Sequence, residues 1–125
     1  MSSLWLHLVF GLGGGLGAAA RHALSQIFAH RVPFSTLIIN VLGSFLLGLW
    51  AGILPPETAI GGVPLQRLAI GFCGGFTTFS SFAYQTLHLG REDTLMHAAA
   101  NIVMNLVLCL VFYGAGLWLS GALIL

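Results

Sequence analysis

One stretch, Gly71-Phe-Cys-Gly-Gly-Phe-Thr-Thr-Phe-Ser-Ser-Phe82, decides how this chain folds. It lies inside an apolar segment at residues 68–87, yet it sets adjacent glycines beside four hydroxyl residues. Glycine weakens a helix, and Ser and Thr side chains compete for its backbone hydrogen bonds. The sequence therefore predicts a helix that breaks near residues 74–78. Such a break frees carbonyl and N–H groups, which membrane proteins tolerate only where those groups are buried or bind an ion.

The composition of the whole chain is that of a membrane protein. Of its 125 residues, 58% are hydrophobic and 6% are charged, and none is lysine; ordinary soluble domains are about 25% charged. A domain this small cannot bury so much apolar surface, so the excess must face membrane lipid. The formal net charge of +1 provides no basic footprint, so we expect no nucleic-acid partner. The two cysteines lie inside apolar segments and offer no disulfide framework.

Four segments are long and apolar enough to cross a bilayer as helices. They are residues 4–29, 34–54, 68–87 and 95–125, each bounded by charge, proline or a chain end. The loops between them leave no room for a second domain. We therefore expect an all-α integral membrane protein, a single four-span domain over residues 1–125, with its third helix broken near the middle.

The loop charges give only a weak orientation signal. An even number of spans places both termini and the loop at residues 55–67 on one side of the membrane. That side carries Arg67, whereas the other carries Arg31 and Arg91, with Arg21 added if its head reaches that interface. A chain with so small a bias can insert in either orientation, and two opposed copies can then pair about an axis in the membrane plane.

Glycines spaced four residues apart mark places where helices approach closely. The pairs are Gly11 with Gly15, Gly13 with Gly17, and Gly48 with Gly52. The spacing fits packing within one chain and equally fits a dimer face. The sequence alone leaves both alternatives open.

Neutral polar residues form stripes along two spans. The second span carries Thr36, Asn40 and Ser44 on one face. The fourth carries, at a spacing of four that stays on one side of a helix, His97, Asn101, Asn105, Cys109 and Tyr113. Amides in hydrocarbon need hydrogen-bond partners. The stripes are therefore either contacts between helices or a polar track for an ion.

Charge inside the membrane is nearly absent. The acidic residues Glu57, Glu92 and Asp93 all fall in loops, which disfavours a proton-coupled exporter, because such proteins commonly use a carboxylate within the membrane. A non-transporting structural subunit stays a rival, and an enzyme is not expected, since no nucleophile with a base or metal-ligand cluster can be assembled. Arg21 lies near the end of the first span, either reaching water, serving an ion vestibule or capping a neighbouring helix.

The sequence resembles the small bacterial fluoride channels of the Fluc or CrcB family. The stretch at residues 71–82 is similar to that family's glycine, threonine and phenylalanine signature, and further similarity at residues 14–21, 36–40 and 101–116 extends it over nearly the whole chain. The resemblance implies an antiparallel, dual-topology homodimer with two fluoride pores in the bacterial inner membrane. It also implies passive export of fluoride, which lowers the cytoplasmic concentration of that ion.

The resemblance assigns pore residues by position. Phe79 and Phe82 match the phenylalanines whose electropositive ring edges face fluoride, although two phenylalanines three apart also occur as simple packing. Asn40 matches the pore asparagine. Thr78 and Ser81 supply hydroxyl groups beside the rings, with Ser81 where the family often has threonine.

The resemblance also assigns residues outside the pore's centre. The polar track takes Asn101, Asn105 and Cys109, and the aqueous vestibule takes Arg21. The backbone carbonyls of Gly74 and Thr77, from both subunits, match those that hold a structural sodium ion at the dimer centre. One departure is Gln85, which stands where the family commonly has glutamate.

Overall fold

A computed structural model describes residues 2–28 and 35–124 and is almost entirely helical in that part of the chain. The elements, in chain order, are helices α1 (Ser3–Phe28) and α2 (Ser35–Ile53), strands β1 (Ala59–Ile60) and β2 (Val63–Pro64), and helices α3 (Leu65–Phe76), α4 (Phe79–Glu92) and α5 (Leu95–Ile124). Three of these helices, α1, α2 and α5, are long and apolar enough to cross a membrane. The all-α expectation is confirmed, while the predicted loop near residue 30, with Arg31, lies outside the described residues.

The third predicted span is split into α3 and α4. These helices have 12 and 14 residues, whereas about 20 are needed to cross a bilayer. Only together do they match the third span. The two residues between them, Thr77 and Thr78, are extended. The predicted break near residues 74–78 is therefore confirmed at its C-terminal end.

A small hairpin joins α2 to α3. Strands β1 and β2 pair antiparallel, and Gly61 and Gly62 turn the chain between them with φ of 59° and 79°. A two-residue hairpin turn with positive φ at both positions favours glycine, because other side chains are strained there. Trp5 Nε1 donates a hydrogen bond of 2.9 Å to the carbonyl of Gly62, which ties the start of α1 to the hairpin.

Glycines bring α1 and α3 into backbone contact. A Cβ at Gly13 would collide with the carbonyl oxygen of Leu68, and one at Gly17 would collide with that of Phe72. Helix α2 meets α5 in the same way, because a Cβ at Gly48 would strike the backbone of α5. These glycines therefore pack helices within one chain.

The remaining glycine pair faces open space. A Cβ at Gly11 or Gly15 would meet no atom within 4 Å. Neighbouring apolar side chains of α1 are exposed, with Leu8, Leu12 and Leu16 at 57%, 61% and 52%. The pair at Gly11 and Gly15 consequently keeps the dimer-face alternative open, whereas the pairs that begin at Gly13 and Gly48 serve packing within one chain.

Candidate ion site at the helix break

The break between α3 and α4 is closed by threonine side chains and backbone bonds. The N–H of Thr77 donates to the carbonyl of Cys73 at 3.0 Å, and this bond ends α3. Thr78 then caps α4, since its Oγ1 accepts from the N–H of Ser81 at 3.1 Å. Ser80 Oγ lies 3.3 Å from the same Thr78 oxygen. The hydroxyl groups of Thr78 and Ser80 therefore lie together at the break.

Asn40 of α2 clamps the break. Its Nδ2 donates to the carbonyl of Thr78 at 3.0 Å, and its Oδ1 accepts from the N–H of Thr78 at 2.8 Å. In a continuous helix that N–H would bond to the carbonyl of Gly74. The side chain of Asn40 thus replaces a helical bond, and one hydrogen of its amide group remains for another acceptor. Sequence reasoning placed Asn40 in a pore and missed this contact.

Arg21 of α1 also binds the break. Its Nη1 donates to the carbonyl of Thr77 at 3.0 Å, and the side chain is half-buried. A cation at the C-terminus of α3 is favoured by the helix dipole. The structure therefore shows the helix-capping alternative for Arg21, and its role at a vestibule stays a prediction.

A groove of about 580 Å³ runs along the break. It brings together many residues that the sequence singled out: Asn40, Gly74, Thr77, Thr78, Phe79, Phe82, Asn105 and Cys109. Three others lie outside its lining, namely Arg21, Ser81 and Asn101. Among the described residues that line the groove, none is acidic or basic. The groove is therefore mainly apolar, with a few neutral polar groups at the break.

Two phenyl rings stand at the start of α4. The centroids of Phe79 and Phe82 are 5.5 Å apart, with the ring planes tilted by 59°. Phe79 is 78% exposed within this single chain. The ring edges carry partial positive charge, so they can contact an anion without presenting a full charge. The free N–H groups at the N-terminus of α4 add to this preference for negative charge.

The polar stripe of α5 is joined to α4 by side-chain hydrogen bonds. Asn105 Nδ2 donates to the carbonyl and Oδ1 of Asn101 at 2.9 and 3.1 Å. Asn101 Nδ2 donates to Thr86 Oγ1 at 2.9 Å, and that hydroxyl donates to the carbonyl of Phe82 at 2.9 Å. Both hydrogens of the Asn105 amide are therefore used. Its buried Oδ1 has no hydrogen-bond partner in residues 2–28 and 35–124.

Thr86 is a residue that sequence reasoning missed. It links the polar stripe to the backbone of a predicted pore phenylalanine. The available signal was its position one helical turn after Phe82, which places its hydroxyl within reach of the Phe82 carbonyl.

The end of α3 carries backbone oxygens that suit a small cation. Helix C-termini and unwound carbonyls favour small cations. The carbonyl of Gly74 has no helical donor, because the N–H of Thr78 donates to Asn40 instead. A Cβ at Gly74 would meet nothing within 4 Å, so there is open space beside this residue. The carbonyl of Thr77 already accepts from Arg21, yet a carbonyl oxygen has a second lone pair. The carbonyl oxygens of Gly74 and Thr77 are donors of the kind that a small cation takes. In the described ranges no group of three or more His, Cys, Asp or Glu side chains could hold a metal ion.

Comparisons with known proteins identify the family. The family described as "CrcB-like protein, Camphor Resistance (CrcB)" matches residues 8–117. A protein of Opitutus terrae named "Fluoride-specific ion channel FluC" is 44% identical over 112 residues, which are 85% of this chain and 85% of the relative. A protein of the same name from Rhodospirillum rubrum is 40% identical over 120 residues, covering 91% and 90%.

A third relative, from Campylobacter jejuni, bears the same name. It is 40% identical over 109 residues, which are 82% of this chain and 87% of that protein. These relatives are named as channels, which supports the expectation that the chain is not an enzyme. With three apolar spans and a family match over residues 8–117, the chain belongs to the CrcB family of bacterial multi-pass membrane proteins.

Proposed function

We propose that this chain is a fluoride-selective channel through which fluoride leaves the cytoplasm passively, so that its cytoplasmic concentration falls. The observation that carries the proposal is the groove at the helix break. There the N-terminus of α4, the amide of Asn40 and the rings of Phe79 and Phe82 meet without any acidic or basic side chain among the described lining residues. The printed names of the relatives support fluoride as the ion.

The groove offers fluoride a series of weak sites. The ion exchanges water for the free amide hydrogen of Asn40 and the hydroxyl group of Thr78, with the hydroxyl group of Ser81 contributing from outside the groove's lining. Each of these groups is neutral, so binding is strong enough for entry and weak enough for release. Within the described parts of the four spans predicted from the sequence, Arg21 is the only arginine or acidic residue, and it already donates to a backbone carbonyl. We therefore assign no step that drives fluoride uphill.

The phenyl rings supply the least hydrated part of the path. The edges of Phe79 and Phe82 contact the ion through partial positive charge. Beyond them the polar track continues along α5 through Cys109, Asn105 and Asn101. Because both amide hydrogens of Asn105 bond to Asn101, Asn105 orients Asn101, whose amide keeps one hydrogen for the ion after its bond to Thr86.

The working unit that we propose is an antiparallel, dual-topology homodimer with two pores. The weak loop-charge bias supports it, as do the exposed ring of Phe79 and the open space beside Gly11 and Gly15. A sodium ion at the dimer centre would be held by the carbonyls of Gly74 and Thr77 from both copies. It would supply positive charge that holds the two copies together, and Arg21 would add positive charge toward the vestibule.

The test of the channel proposal is efflux from liposomes that hold the purified protein. A potassium ionophore cancels the charge movement, a fluoride electrode records release, and chloride serves as the parallel ion. We expect fast release of fluoride and none of chloride. Release of neither ion from folded protein would contradict the proposal and favour a structural subunit, while equal release of both would contradict the fluoride selectivity.

A further inference from the structure

A second pocket lies where the last turns of α4 meet the first turns of α5. Its volume is about 560 Å³. Its polar lining residues are Tyr84, Gln85, His88, Asp93, His97 and Asn101. Helix α2 contributes an apolar side chain, Leu37. The pocket therefore differs from the groove at the break, because it contains side chains that change charge near neutral pH.

The charged centre of this pocket is a histidine paired with an aspartate. His97 Nδ1 lies 2.6 Å from Asp93 Oδ2, and the side chains are 60% and 47% exposed. Because the carboxylate can only accept, Nδ1 carries the hydrogen and Nε2 is left for another partner. Nε2 is an acceptor in the neutral ring and a donor in the protonated ring. Protonation thus creates a donor and cancels the charge of Asp93 at once.

Helix α4 supplies further polar and titratable groups near the pair. From α4, the ring of His88 stacks on Tyr84 with centroids 6.1 Å apart. Arg91 and Glu92 stand exposed on the last turn of α4 outside the pocket lining, and their opposite charges offset one another. Among the described residues that line the pocket, the imidazole groups are therefore those of His97 and His88.

The pocket is joined to the groove at the break by two neighbouring amides. Asn101 lines the pocket and Asn105 lines the groove. Their side chains are hydrogen-bonded at 3.1 Å. An ion that follows the polar stripe of α5 from the break toward the start of the helix therefore arrives in this pocket.

We propose that this pocket binds a small hydrated anion at one mouth of the pathway, and that protonation of His97 beside Asp93 controls its occupancy. The inference rests on the channel function proposed above, with fluoride as the anion. With His97 protonated, the pair is neutral and Nε2–H faces the ion. With His97 neutral, the uncompensated charge of Asp93 repels the ion. Fluoride flux therefore falls as pH rises through the range of about 5 to 8 in which imidazoles ordinarily lose their proton.

The experiment measures fluoride efflux from liposomes at equal internal and external pH, from about 5.5 to 8. Protein-free vesicles give the leak of the neutral acid, which is subtracted. We expect flux to fall about threefold or more across this range, the factor that one unit charge about 7 Å away produces in water-like surroundings. Flux that is present but independent of pH overturns the pocket assignment alone, whereas no flux at any pH overturns the channel function as well.

Variants separate the pair from other effects of pH. His97→Gln should give low flux with a flattened pH profile, and the double variant H88Q/H97Q should give no pH dependence. Asp93→Asn should raise flux at pH 8, because it removes the repelling charge. His7→Gln is the matched control, since that exposed histidine bonds to the carbonyl of Ser3 near the start of α1.

The control and the double variant decide the inference. His7→Gln should keep the wild-type profile. A full wild-type profile in H88Q/H97Q, or lower flux in Asp93→Asn, overturns the proposal. Helix content by circular dichroism and elution in detergent establish that each variant is folded before its flux is compared.

Discussion

The two halves of the third span come from one glycine- and phenylalanine-rich stretch, yet they pack in opposite ways. Helix α3 buries Ala69, Gly71, Cys73 and Phe76, and its backbone touches that of α1. Helix α4 has no buried residue, and its first ring, Phe79, is 78% exposed. The two halves of this broken span therefore have different structural roles. The first half packs against the rest of the bundle, and the second places the rings of Phe79 and Phe82 along a groove.

The largest expected effect comes from disrupting the close contact between α3 and α1. A Cβ at Gly17 would strike the carbonyl of Phe72 and the N–H of Phe76 in α3. Gly17→Ala should therefore lower the free energy of unfolding by about 3 kcal/mol or more, at the upper end of overpacking costs. The measurement is the fraction of protein that elutes as a single species from detergent after heating.

Gly15→Ala is the matched control on the same helix. A Cβ there meets no atom of its own chain within 4 Å, so the better helix propensity of alanine should leave the stability of the single chain's fold unchanged or raise it by up to about 1 kcal/mol. Equal losses in Gly15→Ala and Gly17→Ala would show that the contact between α1 and α3 does not hold the fold.

The next effect comes from placing charge at the break. Asn40→Asp keeps an oxygen for the N–H of Thr78 but puts a negative charge in the groove. Coulomb repulsion at such short range should reduce fluoride efflux at least about tenfold. Efflux from liposomes, measured per folded protein, checks this, and normal fluoride conduction would remove Asn40 from the path.

Asn40→Ala separates the clamp from the charge. It leaves both backbone groups of Thr78 without their side-chain partner. We expect a loss of about 1–3 kcal/mol in the free energy of unfolding, the cost of unsatisfied buried polar groups. Denaturant titration followed by circular dichroism measures it. Unchanged stability would mean that the break does not depend on α2.

A smaller effect should follow from replacing the rings. Phe79→Ile and Phe82→Ile keep apolar bulk but lose the electropositive edge, so each should lower fluoride efflux about three- to tenfold. Phe72→Ile is the control from α3, where the ring packs against Trp50 and Phe76. It should cost stability and leave efflux per folded protein unchanged. Lower efflux in Phe72→Ile with unchanged efflux in Phe79→Ile and Phe82→Ile would contradict the assignment of packing to α3 and of the ion path to α4.

The smallest effect concerns the hydroxyl that joins α4 to α5. Thr86→Val keeps the shape of the side chain but removes its bonds to Asn101 and to the carbonyl of Phe82. We expect a loss of about 1 kcal/mol in stability and a decrease in efflux of about threefold or less. Thr86→Ser should retain the stability and the fluoride efflux of the wild type. Identical behaviour of the valine and serine variants would show that the hydroxyl has no part in ordering the track.

The helices and their break could be predicted because their causes are local. The lengths of the apolar segments predict the spans. The run of glycine and hydroxyl residues at 71–82 predicts the interruption, which lies at Thr77 and Thr78. Most of the predicted pore residues also meet in one groove, because the stripe of α5 and the break of the third span face each other.

The contacts that hold the break could not be read from local pattern. Asn40 bonds to Thr78 and Arg21 bonds to Thr77, across separations of 38 and 56 residues. Spacing along a helix shows which residues share a face, but it does not show which other helix that face meets. The glycine pairs have the same limit, since identical spacing describes the packed Gly13 and the open Gly15.

The most direct test of the account exchanges the electrostatics of a pore ring while keeping its shape. Phenylalanine fluorinated along the outer edge of the ring, placed at position 82, turns that edge from positive to negative. Fluoride efflux from liposomes is then compared with that of the wild type at equal amounts of folded protein. The account predicts a decrease of about three- to tenfold, with unchanged stability. Efflux equal to that of the wild type would contradict the claim that ring edges at the helix break carry the ion.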